Sequence, residues 1–189
     1  MTTSSAIHDT FVIERTYPAS PSRVFAAFAS EEAKNSWGDT GVLEPPEEQE
    51  AGAAEFDFRV GGRERFSHKW QGTTYRYDAL YYDIVPDQRL VYCYEMYADD
   101  VRISVSVATI EFAKSDDGTA LSWTEQGAYL DGIDGAQAPA LRREGTTEML
   151  DGLTSYLQRL VATDSGHGTD GPQVGDPATN QERRSELGK

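Results

Sequence analysis

From Ala54 to Tyr129 apolar and polar residues alternate with the two-residue period of strands; on either side of this stretch apolar residues recur every three or four positions, the period of helices. Ahead of the first helical stretch, Phe11, Ile13, Thr16 and Tyr17 mark a strand from about Ile7 to Tyr17. In PASPSRVFAAFAS, Ser20 suits an N-cap, Pro21 the first helical position, and Val24, Phe25 and Phe28 form one apolar stripe. A second short helix begins at Ser30, with Glu31 and Glu32 where the helix dipole favours anions, and runs to Trp37 before Gly38 stops it.

The central stretch predicts a run of antiparallel strands. AEFDFRV alternates on Phe56 and Phe58, and RERFSHKW puts Phe66, His68 and Trp70 on one face. TTYRYDALYYDIVP carries tyrosines at both parities, so its inward face stays open; DQRLVYCYEMY sets Leu90, Tyr92, Tyr94 and Met96 opposite Val91, Cys93 and Glu95. In VRISVSVATIEFAKSDDGTALSWTEQG the SDDG turn joins two strands. Val101, Ile103, Val105 and Val107 share one parity while Ile110 and Phe112 share the other. A bulge near Ala108 accounts for the switch, or an apolar outer face that would suit a homodimer contact. In LSWTEQG, Glu125 falls on the face of Leu121 and Trp123, where a carboxylate is costly without a partner.

ALRREGTTEMLDGLTSYLQRLVAT then spaces Leu141, Gly145, Met149, Leu153, Tyr156, Leu157, Leu160 and Val161 as the buried face of a long helix. Gly145 and Gly152 each cost it roughly 1 kcal/mol relative to Ala, which close approach of another element or room for a ligand would offset. Two segments lie outside this scheme. GDTGVLEPPEEQEAG reads as an exposed loop, and residues 164–189, rich in Gly, Ser, Pro and Asp, read as a disordered tail after one domain spanning residues 1–163.

Composition narrows the function. With 17 Lys and Arg against 32 Asp and Glu, the formal net charge is -15, so the basic footprint that nucleic acid or an anionic membrane requires is missing. Cys93 is the single cysteine, which excludes an internal disulfide and a thiolate cluster, and His8, His68 and His167 lack metal-ligand spacing. No signal-like or membrane-spanning run occurs, so a cytoplasmic protein is expected. GxSxG, GxGxxG and Walker patterns are absent, and no cofactor or metal is expected.

The order strand, two short helices, six-strand meander, long helix is the layout of an α+β helix-grip fold. The segments FVIERTYPASPSRVFAAFASEEAKNSWG, GGRERF, YYDIVPDQRLVYCYE, DDGTALSWTEQG and RREGTTEMLDGLTSYLQRL follow one another in the expected order. Over roughly residues 8–162 the chain resembles the START-like SRPBCC superfamily and, within it, the bacterial group homologous to the activator of heat-shock protein 90 ATPase. The resemblance implies a curved antiparallel sheet wrapped around the C-terminal helix, with a cavity between them for a hydrophobic or aromatic small molecule. Relatives also include cyclases, aromatases, hydrolase-like enzymes and co-chaperone domains, so a chaperone partner is a further reading and the fold leaves activity open.

Trp37, Phe66, His68, Tyr94, Met96, Trp123 and Glu125 are the residues expected to line that cavity. Glu125 has two readings. Desolvation would suit it to general acid-base work, in which His68 is the candidate partner; bonding at the strand end to nearby backbone or to an arginine such as Arg142 or Arg143 is the commoner, structural alternative.

Overall fold

The computed structural model describes residues 5–38, 54–131 and 134–166; the predicted acidic loop and nearly all of the predicted tail lie outside them. β1 (Ala6–Tyr17) is followed by α1 (Pro21–Ala29) and α2 (Glu31–Gly38). Ser20 caps α1 by accepting a hydrogen bond from the Arg23 amide at 3.3 Å, and Ser30 Oγ accepts from the Ala33 amide at 3.3 Å at the start of α2. Then come β2 (Glu55–Phe56), β3 (Arg63–Trp70), β4 (Thr73–Val85), β5 (Arg89–Ala98), β6 (Val101–Ser115) and β7 (Gly118–Leu130). A short 3-10 turn (Gly135–Gln137) leads into α3 (Ala138–Gly166), which runs three residues beyond the predicted domain boundary.

Among the described residues the seven strands form one antiparallel sheet in the order β1-β7-β6-β5-β4-β3-β2. The meander brings β7 back beside β1, and the curved sheet grips α3, an α+β helix-grip fold. No helix among the described residues is long and apolar enough to cross a membrane.

Three sequence expectations change. AEFDFRV forms strand only at Glu55–Phe56; a turn at Arg59–Gly62 takes up the rest, and Phe58 leaves the ladder to pack edge-on against Phe25 and Tyr81. In β6 there is no bulge at Ala108: the pairing with β7 is continuous from Ser104 to Ser115. The apolar outer face is the correct alternative, since Val101, Val105 and Val107 are exposed on the convex side while Ser104, Ser106, Ala108, Ile110 and Phe112 face inward. The irregularity between β5 and β6 falls instead at Met96/Tyr97. The tyrosine ambiguity of β4 is resolved by a register shift between Tyr81 and Asp83: Tyr77 and Tyr81 face inward, and Tyr82 is left exposed at the irregularity.

The inner face is graded along the strands. At the α1 and α2 end it is aromatic and apolar: Phe25 and Phe28 pack edge-on against Phe112, and Trp37 sits 5.0 Å from Phe28. Leu150, Leu153 and Leu157 of α3 are fully buried, but one and two turns earlier the same face carries Thr146 and Arg142. The gripped helix is therefore apolar in its second half and polar in its first.

The two glycines of α3 differ in what surrounds them. A Cβ on Gly152 would lie 2.2 Å from the Trp37 carbonyl oxygen, so this position is where α2 and α3 meet backbone to backbone; nothing lies within 4 Å of a Cβ on Gly145. Gly145→Ala is expected to raise unfolding free energy by about 0.5–1 kcal/mol, and Gly152→Ala to lower it by about 1–3 kcal/mol. Denaturant melts of the two variants check this; equal effects would contradict the packing.

Candidate functional site

The strand register arranges the inner face in rows. One row crosses Ile7, Tyr129, Ser104, Met96 and Tyr77; the next crosses Gly127, Ser106, Tyr94 and Ala79; a third crosses Phe11, Glu125, Ala108, Tyr92 and Tyr81. The start of α3 crosses above them. A pocket of about 170 Å³ opens at the first row, walled by Ile7, Met96, Ile103, Leu130 and Leu141, with Ser104, Tyr129 and Arg142 as its polar lining. Tyr75 and Asp134 complete the rim.

Beneath the pocket lies a buried polar network. Arg142, on the face of α3 turned to the sheet, donates through one terminal nitrogen to Tyr94 Oη at 2.6 Å and to Glu125 Oε1 at 3.3 Å, and through the other to Ser104 Oγ at 2.9 Å. Tyr94 Oη in turn donates to Glu125 Oε1 at 2.6 Å. The guanidinium also stands 5.3 Å from the Tyr94 ring centre and 5.7 Å from that of Tyr129.

Glu125 is wholly buried. Its ion pair with Arg142 realises the structural reading of the sequence, and two neutral donors at most would have been a poor substitute for a cation at that depth. Burial works against the Arg142 charge, but Tyr94 and Glu125 more than offset it, so the guanidinium is held even more firmly protonated than usual. Burial pushes the Tyr94 hydroxyl well above the ordinary phenol range and the Tyr129 hydroxyl up to about 12, so both are donors at neutral pH.

Three polar atoms on the inner face of β7 break the usual accounting. Trp123 Nε1, Glu125 Oε2 and Tyr129 Oη are all buried, and none makes a hydrogen bond among the described residues. Buried polar groups are ordinarily satisfied, by protein, by ordered water or by a ligand.

The residues named from sequence divide accordingly. Met96 lines the pocket, and Tyr94 and Glu125 form the network below it. Trp123 belongs to the core row behind Glu125 and meets Tyr92 edge-on at 6.2 Å. Trp37 is in the helix layer: its indole nitrogen donates to the Ala27 carbonyl at 2.9 Å, and its ring is buried against Phe28 rather than facing a cavity.

Phe66 and His68 are on the concave side but at the β3 edge. Phe66 is 41% exposed and stacks on Tyr77; His68 stacks on Tyr75 at 5.6 Å, and burial lowers its pKa. The structure does not bring His68 to Glu125. Three strands lie between β3 and β7, and the row through His68 meets β4 at Tyr75, whereas that through Glu125 meets it at Tyr81, about 20 Å further along the strand.

Sequence reasoning missed Ser104 and Tyr129 as site residues and named Arg142 only as a possible ion-pair partner. The available signal was the pair of serines at the inward parity of β6, opposite Gly127 and Tyr129.

The family described as Activator of Hsp90 ATPase homolog 1-like protein matches residues 18–158, three-quarters of the chain and the whole of the site except the β1 wall. The chain belongs to this family. Solved structures of family-like proteins support the assignment. An uncharacterized protein of Rhizobium leguminosarum is 41% identical, with a TM-score of 0.72, over 84% of this chain and 99% of that one. A protein of Rhizobium loti is 44% identical, with a TM-score of 0.68, over 80% and 99%. One from Chromobacterium violaceum is 25% identical, with a TM-score of 0.61, over 78% and 96%. No curated protein matches the chain. Membership in this ATPase-activator-like family suggests a ligand-binding or co-chaperone-like role and names no ligand.

Proposed function

We propose that the protein binds a small, largely hydrophobic or aromatic molecule in the pocket between the sheet and the start of α3. The observation that carries this reading is the pocket's construction: apolar walls of Ile7, Met96, Ile103, Leu130 and Leu141 beside a polar lining of Ser104, Tyr129 and Arg142. Apolar walls with a few fixed polar groups are the usual make-up of small-molecule sites. At about 170 Å³ the pocket is close in size to the ~150 Å³ apolar cavity known to hold benzene, so its occupant is of about one ring. The alternative of acid-base catalysis by Glu125 with His68 draws no support from the register, which keeps the two apart.

Leu141 stands at the pocket, 46% exposed on the first turns of α3, so its side chain can be enlarged with little effect on the core. Leu141→Trp is expected to fill the pocket while leaving the melting temperature within a few degrees of wild type. Native mass spectrometry of both proteins as purified checks the reading: a small-molecule adduct on wild type that Leu141→Trp loses is the expected result, and an adduct retained in full by the variant would place the ligand elsewhere.

A further inference from the structure

The rim of the pocket has two unlike sides. Asp134 bounds it on the α3 side, while on the sheet side it ends at Tyr75, whose ring is also the first of an aromatic group. Tyr75 stacks on His68 at 5.6 Å and meets Trp70 at 6.3 Å; His68 in turn lies 6.4 Å from Phe66, which stacks on Tyr77 at 4.9 Å. These five side chains share the concave side of β3 and β4 and form one unbroken shelf leading away from the pocket. The register gives the shelf its length. Met96 of the pocket wall, Tyr77 and Phe66 are direct cross-strand partners on β5, β4 and β3, a span of two interstrand spacings or about 10 Å. Among the described residues β2 pairs with β3 only through Glu64 and Arg65, so the shelf ends at an open sheet edge.

Its chemistry is apolar and neutral. Burial lowers the His68 pKa and raises those of Tyr75 and Tyr77, so none of the five carries a charge at neutral pH. Phe66 and Trp70 are 41% and 42% exposed, and Tyr82 is the one other exposed aromatic side chain among the described residues. Large aromatics left in water beside a ligand pocket mark a contact surface. The pocket holds about one ring, so a longer molecule must leave it at the rim. The apolar way out runs over Tyr75 rather than past the Asp134 carboxylate.

We propose that the shelf receives a second aromatic ring of the molecule whose first ring fills the pocket, so that the ligand class is two rings joined in line. The proposal rests on the binding reading above and adds the shape of the ligand. Phenol and 4-phenylphenol share a head group and differ by one ring, so amide chemical-shift titrations of the full chain with each of them test it.

The expected result is that 4-phenylphenol binds about tenfold or more tightly than phenol, with shifts that reach Phe66 and Trp70 as well as the pocket. Trp70→Ser and Phe66→Leu should each weaken 4-phenylphenol by about threefold or more and leave phenol within about twofold. Both side chains are substantially exposed, so the fold is retained, and an unchanged far-ultraviolet spectrum verifies that; Phe66→Leu keeps an apolar side chain in the strand and carries the test if Trp70→Ser unfolds. Leu141→Trp should abolish binding of phenol. Equal affinities for the two probes, or a gain from the second ring that the variants retain in full, overturn the shelf and leave the binding reading standing. A wild-type dimer that Trp70→Ser splits, read by sedimentation equilibrium, overturns it too, by giving the shelf to a second copy. Failure of both probes to bind wild type overturns both readings.

Discussion

Arg142→Ala is expected to lose about 3–5 kcal/mol of unfolding free energy, the loss typical of removing one partner of a buried ion pair. Glu125 has no exposed surface, and the Arg142 side chain is itself mostly buried, so solvent cannot replace the guanidinium. The variant would leave the carboxylate with the Tyr94 hydroxyl alone, and would leave Ser104 without its donor. Glu125→Gln is expected to cost less, about 1–3 kcal/mol, because Arg142 retains Tyr94 and Ser104. The double variant Glu125→Gln/Arg142→Met should recover much of the loss, since removing both charges relieves the desolvation penalty that each carries. Urea melts of the three variants measure this. A loss below about 1 kcal/mol for Arg142→Ala would mean that water reaches Glu125 and that the network is not the buried unit described here.

The second large effect separates two roles for Trp37. Trp37→Ala is expected to cost about 3–5 kcal/mol, because the ring is buried against Phe28 of α1 and its indole hydrogen bond holds the Ala27 carbonyl. The backbone of Trp37 also rests against Gly152, so the cavity left behind loosens the α2–α3 contact. The milder Trp37→Phe should leave probe binding at the pocket within about twofold of wild type, since Trp37 contributes nothing to the pocket wall. If Trp37 were a ligand-facing residue, the order of effects would reverse: binding would fall sharply while stability changed little.

The parts of the fold legible in the sequence are those where hydrophobic period and environment agree. Ser20-Pro21 and Ser30 with its two glutamates mark both short helices because capping is a local matter, decided by residues within one turn. Leu153 and Leu157 reveal the buried side of α3 for the same reason. The site is where this agreement fails. On β6 the exposed positions are valines and two of the buried ones are serines, so alternation alone reads as a shift of register. Only the unbroken pairing with β7 shows that the serines face a polar interior.

The long-range partners were harder still. Glu125 could be seen to face inward from its place two residues beyond Trp123, and Arg142 could be named as a cation nearby in sequence. Their union with Tyr94, Ser104 and Tyr129 depends on the register of β5, β6 and β7 and on where α3 crosses them. Aromatic residues misled in the opposite direction. Trp37 and Phe66 look alike as large apolar side chains in amphipathic segments, yet one fills the helix layer and the other lies at the sheet edge, because the number of neighbours an aromatic acquires is set by the elements above it.

The central claim is that the pocket at the start of α3 is the ligand site, and amide chemical-shift mapping during titration with phenol tests it most directly. The expected shifts cluster at Ile7, Met96, Ser104, Tyr129, Leu130, Leu141 and Arg142, and vanish in Leu141→Trp. Shifts centred instead on the convex valines Val101, Val105 and Val107, or on Phe66 and Trp70 at the β3 edge, would contradict the claim.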